Sequence, residues 1–123
     1  MYKYNDLQKV FNLIIKILLK NTSLNVYVSK DCYEILNGVI VAIHGKYKSP
    51  INTRLVTNKT KFYSECQYNI EFSCQQSNID KIEIKKHYNF SQNHIKINFI
   101  YSDYHNLFYI NEILWPQFKQ YQI

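Results

Sequence analysis

From Asn5 to Lys20 the apolar residues Leu7, Val10, Phe11, Ile14, Ile15, Leu18 and Leu19 recur at the spacing of one helical face, with Lys9, Lys16 and Lys20 on the other side. A stripe this apolar reads as the buried face of a packing helix. The uninterrupted apolar stretch is too short to span a bilayer, which makes this a packing helix and not an anchor. Asn5 or Asp6 supplies the short side-chain oxygen that caps its first turn.

The remaining chain answers mostly in period two. Leu24 to Val28 alternates as a short strand, and Gln67, Asn69, Glu71 and Ser73 alternate with Tyr68, Ile70, Phe72 and Cys74 inside a longer one, Phe62 to Cys74. Lys81 to Lys86 and His94 to Tyr101 alternate Ile with polar residues, after a polar break at Gln75 to Asn78. Asp31 to Leu36 reads as a brief helical turn closed by Asn37-Gly38. Val39 to Ile43 is apolar at every position, the pattern of a central strand buried on both faces. It ends at Gly45, where the chain turns into a loop over Lys46 to Thr53 that contains Pro50, and Arg54 to Thr57 starts another strand. The tail from Asn106 to Ile123 carries Leu107, Phe108, Tyr109, Ile110, Ile113, Leu114, Trp115 and Phe118, with Pro116 expected to stop any helix there.

With no internal repeat and no linker, the expectation is a single α+β domain over residues 1–123. Its N-terminal helix packs on a mostly antiparallel sheet of about four strands, followed by a C-terminal extension. Residues 1–37 form the helical region and lead-in, 38–101 the core and 102–123 the extension.

Composition narrows the function classes. Fourteen Lys and one Arg stand against nine acids, a net charge of +6, which favours phosphate-bearing partners. Asn, Ile, Lys, Tyr and Phe, the residues that AT-rich codons encode, dominate beside a single Ala, so the bias belongs to the genome, for which an organellar one is the expectation. Under such a bias Arg54 survives for its planar, bidentate fork. Three Cys (Cys32, Cys66, Cys74) fit no secreted disulfide framework and point to a reducing compartment. The first twenty residues, broken by Lys3, Asp6, Lys9 and Lys16, do not read as a secretion signal. With no Arg and only late Ser they do not read as a mitochondrial presequence either, so a chain working in the organelle is expected to be made there.

One stretch carries more information than the rest, Gly38-Val39-Ile40-Val41-Ala42-Ile43-His44-Gly45-Lys46 through to Pro50-Ile51-Asn52-Thr53-Arg54. It resembles the signature of the C-terminal domain of small-subunit ribosomal protein three: a Gly, an alternating strand, Ser-Gly-Arg-Leu, a small-residue turn and Ile-Ala-Arg. Gly38, Gly45 and Arg54 fall at the family's spacing, and Lys46 stands where the family has Arg. Ile70 to Phe72 and His94 to Tyr101 are similar to the family's following Ile-Asp-Tyr and to its last strand. His44 replaces Ser, Ser49-Pro50 replaces a Gly-Ala pair, Asn78 to Phe90 reads as an insertion, and the family's Arg-rich helix has an apolar counterpart, Phe11 to Leu19.

The resemblance implies a non-catalytic structural constituent of the small subunit of an organellar, mitochondrial ribosome, in the head near the messenger entry side. It implies ribosomal RNA and neighbouring ribosomal proteins as partners, messenger RNA as a possible further one, and the mitochondrial matrix as the location. No Gly-x-x-Gly loop of the family's KH domain is present in the sequence, so the chain is expected to be one half of a split protein, with a separate KH-bearing half. The apolar first helix and the aromatic tail would then be docking surfaces. Lys46, Lys48, Arg54, Lys59 and Lys61 are the expected RNA contacts, with Arg54 either gripping phosphate or pairing internally with Glu65 or Glu71.

Other chemistries fit the residues less well. His44, His87, His94 and His105 with three Cys lack a Cys-x-x-Cys pair or a short His pair, so no metal is expected. Paired catalytic acids and Gly-rich phosphate loops are missing from the sequence, so neither enzyme activity nor a cofactor is expected. Lys46-Tyr47-Lys48 and Lys61-Phe62-Tyr63 leave room for base stacking, which keeps open a small OB-type single-strand binder of a telomere or replication complex. The other alternative is an accessory subunit of another organellar complex, binding protein through Leu7 to Leu19 and Leu107 to Phe118.

Overall fold

A computed structural model of the protein describes residues 2–20, 23–43, 52–56, 68–88 and 93–119. In chain order the elements are α1 (Tyr4–Lys20), β1 (Ser23–Val28), α2 (Lys30–Ile35), α3 (Asn37–Val41), β2 (Asn52–Val56), β3 (Tyr68–Gln76), β4 (Lys81–Tyr88), β5 (Asn93–Tyr101) and α4 (Tyr104–Lys119). The α+β class, the N-terminal helix on a sheet and a structured C-terminal extension are as expected. The α1 stripe packs as its spacing demands, with Leu7, Val10, Phe11, Ile14, Ile15 and Leu18 buried and Lys9 and Lys16 exposed.

The sheet differs from expectation in number and sense. Five strands run in the order β2-β1-β3-β5-β4. β1 is parallel to both β2 and β3, β3 is parallel to β5, and only β4–β5 is antiparallel. Alternation tells which face a residue occupies but not the direction of its neighbour, and here β5 inserts between the two strands that precede it. The 77–80 connection therefore passes around the end of β5: the Ser77 N–H donates to the Tyr101 carbonyl at 2.9 Å, and Asp80 accepts from the Ser102 N–H at 2.8 Å. An open sheet with this topology is not the OB-type barrel.

Parallel pairing of β1 with β2 requires a crossover, and this is where the apolar run goes. Val39 to Ile43, expected as a buried strand, is helical: α3 covers Asn37–Val41 and a wider turn takes in Ala42 and Ile43. Leu36, Val39, Ile40 and Ile43 are buried while Asn37 and Val41 are exposed, the burial pattern of a helix face. Asn37-Gly38 thus starts a helix where a stop was expected. Gly38 lies against α4, where an added Cβ would stand 3.4 Å from Trp115 Cβ and Cγ.

Pro116 does not stop the final helix, which continues to Lys119. A missing N–H orphans only the carbonyl one turn earlier, on Glu112, and both residues lie on the exposed side. On the buried side, Leu107, Ile110, Leu114 and Phe118 join the core, and the Phe118 ring meets Phe11 edge-on with centroids 5.1 Å apart. The buried stripes of α1 and α4 therefore cover this chain's own sheet, while Leu19, Phe108 and Tyr109 stay exposed on their outer sides. Beneath them lie Leu24, Val26, Val28, Ile70, Phe72, Ile95, Ile97 and Phe99 from one face of the sheet. Tyr2 closes the layer: its hydroxyl donates to the Ile100 carbonyl at 2.6 Å, and its ring stands edge-on to Phe99.

Candidate functional site

Because the strands alternate, the residues between those core positions all fall on the second face of the sheet, and that face is polar. Register sets them in rows. One row runs Arg54, Asn25, Asn69, His94, His87 across all five strands, and the next runs Val56, Tyr27, Glu71, Lys96, Lys85. Further along come Ser73, Asn98 and Glu83. Lys81 follows on β4, opposite Ile100.

The central part of this face is buried and bonded. Asn25 and Asn69 are 0% and 2% exposed, and the Asn25 Nδ2 donates to Asn69 Oδ1 at 3.3 Å. Glu71, 4% exposed, holds its carboxylate 3.3 Å from His94 Nε2. Burial depresses the His94 pKa below its ordinary value, the Glu71 charge opposes that, and His87 and Lys96 add to the depression. His94 is therefore neutral near pH 7, and its ring lies 6.2 Å from that of His87. Glu71 and His94 thus form a close polar contact within the sheet face, and among the described residues no His, Cys, Asp or Glu group of three converges as a metal site.

Towards β4 the face opens to solvent. Gln75, Glu83, Lys85, Lys96 and Asn98 line a polar hollow of about 220 Å³. Asn98 organises its floor: Nδ2 reaches Gln75 Oε1 and Glu83 Oε1, both at 3.4 Å, and Oδ1 accepts from Ser73 Oγ at 3.1 Å. Lys85 and Lys96 are direct partners across the antiparallel pair. Like charges set opposite each other disfavour the pairing. An anion between them turns that repulsion into attraction.

Of the expected RNA contacts, Lys46, Lys48, Lys59 and Lys61 lie outside the described residues, as does Glu65. Arg54 is in β2, opposite Asn25 of β1, at the end of the polar row farthest from β4. Glu71, weighed as a partner for Arg54, has His94 beside it. Lys81, Lys85 and Lys96 were not singled out in the sequence. Their shared parity with His87 and His94 was visible there, but only the β4–β5 register sets Lys85 against Lys96.

Compared with protein-family models, with curated proteins and with solved structures, the chain has no match. No helix among the described residues is long and apolar enough to cross a membrane.

Proposed function

We propose that this chain is a non-catalytic, RNA-associated structural component of a ribonucleoprotein assembly, the small subunit of an organellar ribosome being the assembly its sequence resemblance implies. The observation that carries the proposal is the polar sheet face, on which Lys85 and Lys96 oppose each other over a hollow lined also by the amides of Gln75 and Asn98 and the carboxylate of Glu83. Phosphate oxygens accept from ammonium and amide N–H donors alike, and the sheet fixes the backbone from which these side chains reach, so that only the side chains are ordered on binding. At the other edge of the sheet β2 holds Arg54, the one Arg of the chain, opposite Asn25 of β1. Five strands at ~4.8 Å spacing put β2 and β4 roughly 19 Å apart, within the span of one RNA strand lying across the sheet.

The helix at Asn37–Val41 removes the strand that the ribosomal resemblance places ahead of Gly45. Charge and the polar face therefore support RNA association, and the resemblance supplies the particular assembly. Ultraviolet crosslinking of the full chain in its native extract, followed by peptide mapping, tests it. RNA adducts on β4, β5 or the stretch around Arg54 are expected. Adducts confined to the helical layer, or none at all, would contradict the reading.

A further inference from the structure

On the opposite side of the sheet from the polar hollow, α1 does not fully cover the last strand. A groove of about 590 Å³ runs between them, lined by Lys9, Asn12, Leu13 and Lys16 of α1 and by Ile84 and Lys86 of β4. Its floor is aliphatic, from half-buried Leu13 and Ile84, and its rim holds three lysines and no acid among the described residues. β4 is also the end of the sheet, and among the described residues it pairs only with β5. In an antiparallel edge strand every second residue turns its backbone N–H and C=O outwards, a ready template for another strand.

The geometry points to this edge and groove as the docking site for an extended, acidic segment of a partner protein, added to β4 as a sixth strand. Backbone pairing with β4 supplies affinity that does not depend on side chains, and the groove reads alternate side chains of the incoming strand. A central aliphatic residue covers Leu13 and Ile84, and carboxylates on either side of it meet Lys9, Lys16 and Lys86. Among the described residues its lining has no aromatic ring, so these residues give nucleic-acid bases no stacking platform. A second copy of this chain, at net charge +6, is repelled by the lysine rim. The same lysines that keep neutral strands off the edge admit an acidic one, which makes the choice of partner electrostatic.

The test uses the full isotope-labelled chain and the capped peptide Thr-Glu-Thr-Val-Thr-Glu-Thr, with Thr-Lys-Thr-Val-Thr-Lys-Thr and a short single-stranded RNA as competitors. Amide shifts and slowed hydrogen exchange along Lys81 to Tyr88 are expected with the acidic peptide alone. Lys9→Glu with Lys86→Glu, both at exposed positions, is expected to weaken that binding roughly tenfold and to strengthen binding of the basic peptide. Three results would overturn the inference: no response of β4 to the acidic peptide, equal response to both peptides, or displacement of the acidic peptide from the groove by RNA. If the double variant does not fold, the salt dependence of the wild-type titration decides. Binding insensitive to salt is then the overturning result.

Discussion

Replacing Lys85 and Lys96 together by Ala separates a phosphate-binding pair from a pair of ordinary surface lysines. The two face each other across β4 and β5, so each is set to meet a phosphate at the polar hollow. On single-stranded RNA each neutralised phosphate contributes ~0.7 to the slope of log affinity against log salt, so the double variant should flatten that slope by about 1.4. Taking the electrostatic contribution to vanish near 1 M salt, the same coefficient gives a loss of ~5-fold per lysine at 0.1 M, or roughly 25-fold for the pair. Stability should move the other way, because removing opposed like charges relieves the pairing by up to about 0.5 kcal/mol. Fluorescence anisotropy with a labelled single-stranded RNA across about 0.05–0.2 M salt reads the slope, and a denaturant titration reads the stability. An unchanged slope with unchanged affinity would refute the argument. So would a loss of affinity accompanied by a loss of folding.

Three further outcomes follow from the packing and the titrating groups. Because the folded pKa of His94 is depressed, the unfolded chain binds the extra proton first, so stability present above pH 6.5 is lost as pH falls below that value. Denaturant melts at about pH 7.5 and pH 5.5 should show the loss, and His94→Gln should remove that part of it. At Gly38 the 3.4 Å approach to Trp115 leaves room for a methyl group and nothing larger. Gly38→Ala should therefore be neutral or stabilising by up to ~1 kcal/mol, while Gly38→Leu should destabilise by about 1–3 kcal/mol, as thermal melts would show. Cys32 is fully buried, and its hydrogen bond with Cys74 together with burial pushes its thiol pKa up, so it should resist thiol reagents until the chain unfolds. Half-buried Cys74 should label in the native state, as mass spectrometry of the modified chain would show.

How much of this was legible in the sequence depended on the kind of information each segment carries. Alternation at His94 to Tyr101 told which residues enter the core, and β5 buries Ile95, Ile97, Phe99 and Tyr101 as that pattern requires. Alternation does not encode the neighbour, so the insertion of β5 between β3 and β4 and the parallel sense of three pairs were out of reach. Val39 to Ile43 shows a different failure. A short apolar run fits a buried strand or a buried helix equally well, and the helical spacing of Leu36, Val39, Ile40 and Ile43 was present but overshadowed by the run. Once β1 and β2 are known to be parallel, the crossover decides for the helix. Pro116 misled because the rule against proline weakens where the orphaned carbonyl faces water. The polar face was half legible: the parity of Glu71, His94 and Lys96 marks them as neighbours on one side, yet the opposition of Lys85 and Lys96 exists only in the register. Lys46, Lys48, Lys59 and Lys61 stay expectations from charge, outside the described residues.

The central claim is membership of a ribonucleoprotein assembly, and sedimentation of the native chain from an organellar lysate tests it most directly. After subunit dissociation at high salt, the chain should migrate with the small ribosomal subunit and shift to lighter fractions when the RNA is digested. Migration in a light complex that nuclease leaves unchanged would contradict the account.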